Sequence, residues 1–248
     1  MLSVENNLRK AKKYSDNAKN QYIPKYLLEK FYNLLNFKKY DELIYEALEL
    51  RSIFPCCSNL TSILGSAYFK INNFNEAIVY FKRSINLQNN NLDNYYNAGL
   101  TLMKLKKIQQ ANDYFCHIIN LNPNYFEAYN ELANIEKLKT NYTKALKLYR
   151  ASLKFRKNLH ITFTNIATLY KEVGKNNSAI RYYHKALDIK KNYSEALFNL
   201  SILQLYFNQF QEGWYNYGKS FEINSLGKIK KYNMLPSFDS SSHKSVLV

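Results

Sequence analysis

The chain has 248 residues, 46% of them hydrophobic, with only 6 glycines and 4 prolines; this supply suits helices that bury surface against one another and excludes general disorder. Its formal charge of +16 comes with a joint excess of Lys, Asn, Ile, Tyr and Phe, and the lysines are scattered along helical patterns instead of gathered in blocks, which argues against a nucleic-acid partner. Three cysteines without a CxxC, dispersed histidines, no apolar run of membrane-spanning length and no secretory apolar core argue against a disulfide framework, a metal site, a membrane span and export, and point to a cytoplasmic protein without cofactors.

The first predicted element lies within residues 1–23. Val4, Leu8, Ala11, Ser15 and Ala18 share one side of a helix opened by Ser3, with Arg9, Lys10, Lys12 and Lys13 around them. Its expected role is to cap the helices C-terminal to it. Pro24 then stands where a first helical residue belongs, because its missing N–H would have no partner there. Residues 24–57 form a degenerate unit that keeps Leu27, Leu34, Tyr40, Leu43 and Pro55 but has Phe31 where later units are small.

Four units follow in strict phase, at 58–91, 92–125, 126–159 and 160–193. Their first helices are small at Gly65, Gly99, Ala133 and Ala167, and their second helices answer with Ala77, Ala111, Ala145 and Ala179. Four residues later come Phe81, Phe115, Tyr149 and Tyr183. Two helices cross closely only where neither carries bulk, and the aromatic fills the space beyond. Asp41, Asn75, Thr143 and Asn177 are expected to cap the second helices, while Asn72, Gly174 and Asn208 suit left-handed residues that end the first.

A sixth unit, 194–224, replaces the usual Ala with Gly213 and follows it with Trp214, the only tryptophan. Glycine inside a helix costs about 1 kcal/mol relative to Ala, so a close contact is expected here, and Trp214 and Tyr217 mark a domain junction. Residues 225–248 read as a linker with Gly227, a basic cluster at 228–231 and Pro236, ending in Val246-Leu247-Val248 as the opening of a strand.

The period of about 34 residues, with its small, Ala and aromatic positions in order, resembles the tetratricopeptide repeat. The resemblance covers residues 24–221 and implies an all-α, right-handed αα superhelix of five to six helix-turn-helix repeats, with first helices lining a concave groove that binds a peptide or partner protein. A narrower resemblance rests on Phe210-Gln211-Glu212-Gly213-Trp214-Tyr215-Asn216-Tyr217, the Pro-containing linker and the Val-Leu-Val ending. It is similar to bacterial tetratricopeptide proteins fused to a glycosyltransferase, and implies repeats that select an acceptor for a catalytic domain beyond Val248. No catalytic residue of such a domain is carried over, and the chain as given is expected not to be an enzyme.

Candidate groove residues derive from the phase. The first-helix position before each apolar–small pair is Asn97, Asn165 and Asn199 in three repeats and Ile63 and Glu131 in two, with Asn130 one place out of phase. An amide both donates and accepts, so such a series can pair with the backbone of an extended peptide. It resembles the asparagine ladder of O-linked N-acetylglucosamine transferases; the other reading is that some of these amides bond within their own repeat. Lys70, Lys104, Lys137 and Lys171 recur near first-helix C-termini, where they either attract an acidic ligand or complement the helix dipole.

Overall fold

The computed structural model describes residues 22–156 and 159–225, and every regular element among them is an α-helix. In chain order these are α1 (Lys25–Asn36), α2 (Tyr40–Ile53), α3 (Ser58–Lys70), α4 (Phe74–Leu87), α5 (Leu92–Lys104), α6 (Ile108–Leu121), α7 (Phe126–Leu138), α8 (Tyr142–Phe155), α9 (His160–Glu172), α10 (Asn176–Ile189), α11 (Ser194–Tyr206) and α12 (Phe210–Ser225). They form six antiparallel pairs in two compact units, Met1–Lys157 and Asn158–Val248. The expected helix over residues 3–20 lies outside the described residues, as do the expected linker and strand over 225–248 apart from Ser225, which is helical. The last helix continues past Phe221, where the apolar pattern stops, as far as Ser225.

The turn inside each pair is built the same way. Lys38, Asn72, Lys106, Thr140, Gly174 and Asn208, each 34 positions after the last, all have positive φ. The residue after each donates its backbone N–H across the turn: Lys39 to Leu34 O at 2.9 Å, Asn73 to Tyr68 O at 2.9 Å, Gln209 to Gln204 O at 2.8 Å. These are the bonds by which a left-handed residue closes a helix and satisfies its last carbonyls.

That closure fixes where the next helix starts. One residue past the left-handed position, Lys39, Asn73, Lys107, Asn141 and Lys175 take the N-cap place. Asp41, Asn75, Thr143 and Asn177 therefore sit inside the first turn rather than at the cap. Among these caps only Asn73 accepts a capping bond through its side chain, from Glu76 N at 3.3 Å. Pro24 is likewise shifted by one place: it flanks α1, with ψ 140, and its carbonyl accepts from Leu27 and Leu28.

In the first unit the helix crossings are closed by small residues. Ala77, Ala111, Ala133 and Ala145 are fully buried. A Cβ on Gly65 would lie 2.9 Å from the Phe81 ring, and one on Gly99 would lie 2.7 Å from the Phe115 ring. The opening pair inverts this arrangement, with Phe31 at the small position and Ala47 at the aromatic one, both fully buried in one core. In the second unit Ala167, Ala179, Tyr183, Ala186, Ala196, Leu200 and Leu203 make the core. A Cβ on Gly213 would meet Leu205 side-chain carbons at 2.8 Å, which accounts for glycine in that helix interior.

Candidate functional site

In the first unit a pocket of about 230 Å³ opens on the side of the first helices. It is lined by Tyr32 and Leu35 from α1, Asn59, Ser62, Ile63 and Ser66 from α3, and Asn91, Asp93, Asn94 and Asn97 from the start and body of α5. Three successive first helices therefore share one concave wall. Ile63 and Asn97, one repeat apart in phase, both face it.

Beneath that wall runs a polar network. Ser62 Oγ donates to Asn94 Oδ1 at 2.6 Å, and Asn94 Nδ2 donates to Ser84 Oγ at 2.9 Å. Ser84 Oγ in turn bonds the carbonyl of Ser58 at 2.9 Å. Asn94 and Ser84 are fully buried, so these bonds offset a desolvation that would otherwise be costly, and they lock α3, α4 and α5 together below the pocket. The motif reading missed Asn59, Ser62 and Asn94. Ser62 and Ser66, four apart on one helix face, are the signal that marks this polar side.

The other expected groove residues divide. Asn130 is buried and its Nδ2 donates to Ser152 Oγ at 2.8 Å, so it belongs to the contact between α7 and α8 rather than to the groove wall. Its shift of one residue from the phase of Asn97 turns it inward. Glu131 occupies the in-phase place and is half-buried; its carboxylate accepts from Tyr96 OH at 3.5 Å and Asn134 Nδ2 at 3.2 Å. Burial pushes the Glu131 carboxyl above its ordinary pKa, and the bonds from Asn134 and Tyr96 and the charge of Lys104 oppose that rise. Lys70 and Lys104 are exposed and Lys137 half-buried, each in the last turn of its helix.

In the second unit Asn165 is half-buried on α9. Lys171 Nζ donates to Asn199 Oδ1 at 2.8 Å, and Asn199 Nδ2 donates to the Glu195 carbonyl at 2.9 Å. A last-turn cation and an in-phase amide thus meet across adjacent repeats, and both ends of the Asn199 amide are engaged within the chain. Trp214 is 52% exposed, and its ring lies 5.7 Å from that of the half-buried Tyr217.

Family models of the tetratricopeptide repeat match residues 63–91 and 92–125, and a second such model matches 162–197. No curated protein sequence matches the chain. Among solved structures, YrrB, a tetratricopeptide protein with an unusual peptide-binding site, is 20% identical, with 75% of this chain and 94% of that chain covered and a TM-score of 0.56. PilF of Pseudomonas aeruginosa is 14% identical over 81% of this chain and 94% of its own, with a TM-score of 0.64. A tetratricopeptide protein of Thermus thermophilus is 18% identical over 67% and 91%, with a TM-score of 0.60. At these identities the likeness establishes the fold, an all-α solenoid of tetratricopeptide repeats. No described helix is long and apolar enough to cross a membrane.

Proposed function

We propose that this protein is a binding scaffold whose first-helix groove holds an extended segment of a partner polypeptide. The observation that carries the reading is the pocket shared by α1, α3 and α5, where the Asn97 amide and the Ser62 and Asn59 side chains stand beside apolar Ile63 and Leu35. Amides and hydroxyls satisfy a peptide backbone irrespective of its sequence, and the apolar side chains take alternate residues of the ligand. The peptide-binding site of YrrB supports the same use of this fold. Asn165 and Asn199 stand at the equivalent places of the second unit, and the net charge of +16 accelerates encounter with an acidic segment more than it adds affinity.

The test replaces Asn97, Asn165 and Asn199 with Ala and measures binding to a partner recovered by pull-down. Weakened binding with unchanged helicity is expected, the Asn97 change carrying most of it because Asn199 is already bonded internally. Unchanged affinity removes the amides from the mechanism.

A second reading has the repeats select an acceptor for a glycosyltransferase domain encoded beyond Val248. The exposed Trp214 and the rings around it favour it, since a following domain would cover them. Reading the coding sequence past Val248 decides: a Rossmann-like βαβ pattern supports this reading and an immediate stop codon in an intact gene sinks it.

A further inference from the structure

The last described helical pair departs from a pattern seen at α6 and α10. In the first unit Phe115 and Ile118 of α6 share a core with Ala128, Leu132 and Ile135 of α7. In the second, Tyr183 and Ala186 of α10, with Ile180 and Leu187 beside them, share a core with Ala196, Leu200 and Leu203 of α11. Within each unit a second helix is thus covered by the first helix that follows it. Both covering helices spell Ala, Leu four residues on, and Ile or Leu seven residues on, which is one apolar stripe of an α-helix.

One period beyond Ile180, Tyr183 and Leu187 stand Trp214, Tyr217 and Phe221 of α12, and one period beyond Thr164 and Thr168 stand Phe198 and Ile202 of α11. Tyr183 and Thr164 are fully buried, whereas Phe198, Ile202, Trp214 and Phe221 are 37%, 41%, 52% and 46% exposed. Their rings form one patch, with Tyr217 4.9 Å from Phe221 and 5.9 Å from Phe198. A terminal repeat that faces water needs a polar outer face. Here Thr gives way to Phe, Thr to Ile, Ile to Trp and Leu to Phe, so all four side chains become larger and the two that were hydroxyls become apolar where no described element covers them.

The residue types also indicate which occupant fits. The in-phase positions of the chain's own continuation are Lys230, Met234 and Ser237, with Pro236 between them, and do not carry the covering pattern. Among the described helices α1 is the first that a second copy would offer head to tail; its in-phase positions are Tyr26, Lys30 and Asn33, and Lys30 is already paired with Glu46 at 2.6 Å. We propose that the α11–α12 edge, centred on Trp214, Tyr217 and Phe221, docks an amphipathic helix of a partner polypeptide that presents an Ala-x3-Leu-x2-Leu/Ile stripe. The interface continues the one already made between α10 and α11.

Trp214 is the only tryptophan, so its emission in the full chain reports on this edge alone. The probe is a side-chain-stapled peptide copying α7, Phe126–Leu138. A saturable blue shift in the micromolar range is expected, weakened about tenfold by Phe221→Ala or Ile202→Glu in the protein, absent for a probe with Leu132→Lys, and unchanged by Asn97→Ala. That last arm separates this edge from the groove. The proposal is overturned by emission that does not respond, by an equal response to the Leu132→Lys probe, by emission of the free chain already blue and shielded from quencher, which would mean its own residues cover the face, or by a shift driven by protein concentration alone, which would mean a second copy does.

Discussion

Lys38, Lys106 and Thr140 hold φ of 60, 59 and 61, a conformation in which a Cβ crowds the following carbonyl. They do so because the bonds across the turn, such as Asn141 N to Glu136 O at 2.9 Å, outweigh the local strain. Asn72, Gly174 and Asn208 at the same place are residue types that tolerate it, and their role is legible directly from the sequence. Nothing in a Lys or a Thr signals the same conformation; only the register of 34 does. Lys106→Gly and Thr140→Gly should therefore raise stability by about 0.5–1 kcal/mol each, with the β-branched Thr140 gaining more, while Gly174→Ala should lower it. Urea midpoints at constant slope check the signs. In the same turn Glu136 is buried and accepts from Asn141 Nδ2 and Lys144 Nζ, both at 3.0 Å. Burial alone would push its carboxyl up, but these bonds and the charges of Lys144 and Lys139 outweigh it and hold the pKa below the ordinary value. A depressed carboxylate stabilises above its unfolded pKa and loses that contribution as pH falls through the folded one. Glu136→Gln should accordingly destabilise at neutral pH, with a gap to the parent that closes as the pH is taken below the ordinary glutamate range; a gap independent of pH would contradict the assignment.

At the scale of the helix, the same closeness is reached by three distributions of bulk. Gly65 and Gly99 face Phe81 and Phe115; Ala133 and Ala167 stand opposite Tyr149 and Tyr183; Phe31 and Ala47 reverse the roles. The tyrosines add a bond that a phenylalanine lacks, Tyr183 OH lying 3.1 Å from Thr168 Oγ1. The phase and the small positions are readable because each residue type recurs at a fixed place. The inversion in the opening pair is not, since it conserves volume across two helices rather than identity at one position. Two glycines in helices make opposite predictions. Gly218 has no atom within 4 Å of where a Cβ would go, so Gly218→Ala should gain about 1 kcal/mol of helix propensity. Gly99→Ala gains the same propensity but drives a Cβ to 2.7 Å from the fully buried Phe115 ring, and should lose about 1–2 kcal/mol net. Thermal melts of the two variants on either side of the parent are expected; two shifts of the same sign would show that the crossing is looser than its geometry.

For the molecule as a whole, stability in a repeat array is close to a sum of contributions from each repeat and its neighbours, and about three repeats are needed before the sum is favourable. Among the described residues the unit Met1–Lys157 contains four helical pairs, with one core from Ile23 to Ala67 joined by Tyr80 and another from Ala77 to Ile135. Among its described residues the unit Asn158–Val248 has two pairs and one small core around Tyr183 and Leu200, with the rings of Trp214 and Phe221 exposed. Composition and period foretell the helices in both, but not this imbalance, because the phase runs unbroken through residues 126–193 and a contact division is invisible to it. A fragment of residues 22–157 should fold alone with a cooperative urea transition. A fragment of residues 158–248 should be partly helical with a broad transition, and should sharpen when the stapled α7 peptide covers its open edge, since a ligand bound only by the folded form stabilises by mass action. Far-UV circular dichroism of the two fragments, with and without peptide, makes the comparison. A fragment 158–248 as cooperative as its partner without peptide would mean that two pairs suffice here and that the exposed aromatic face costs the array little.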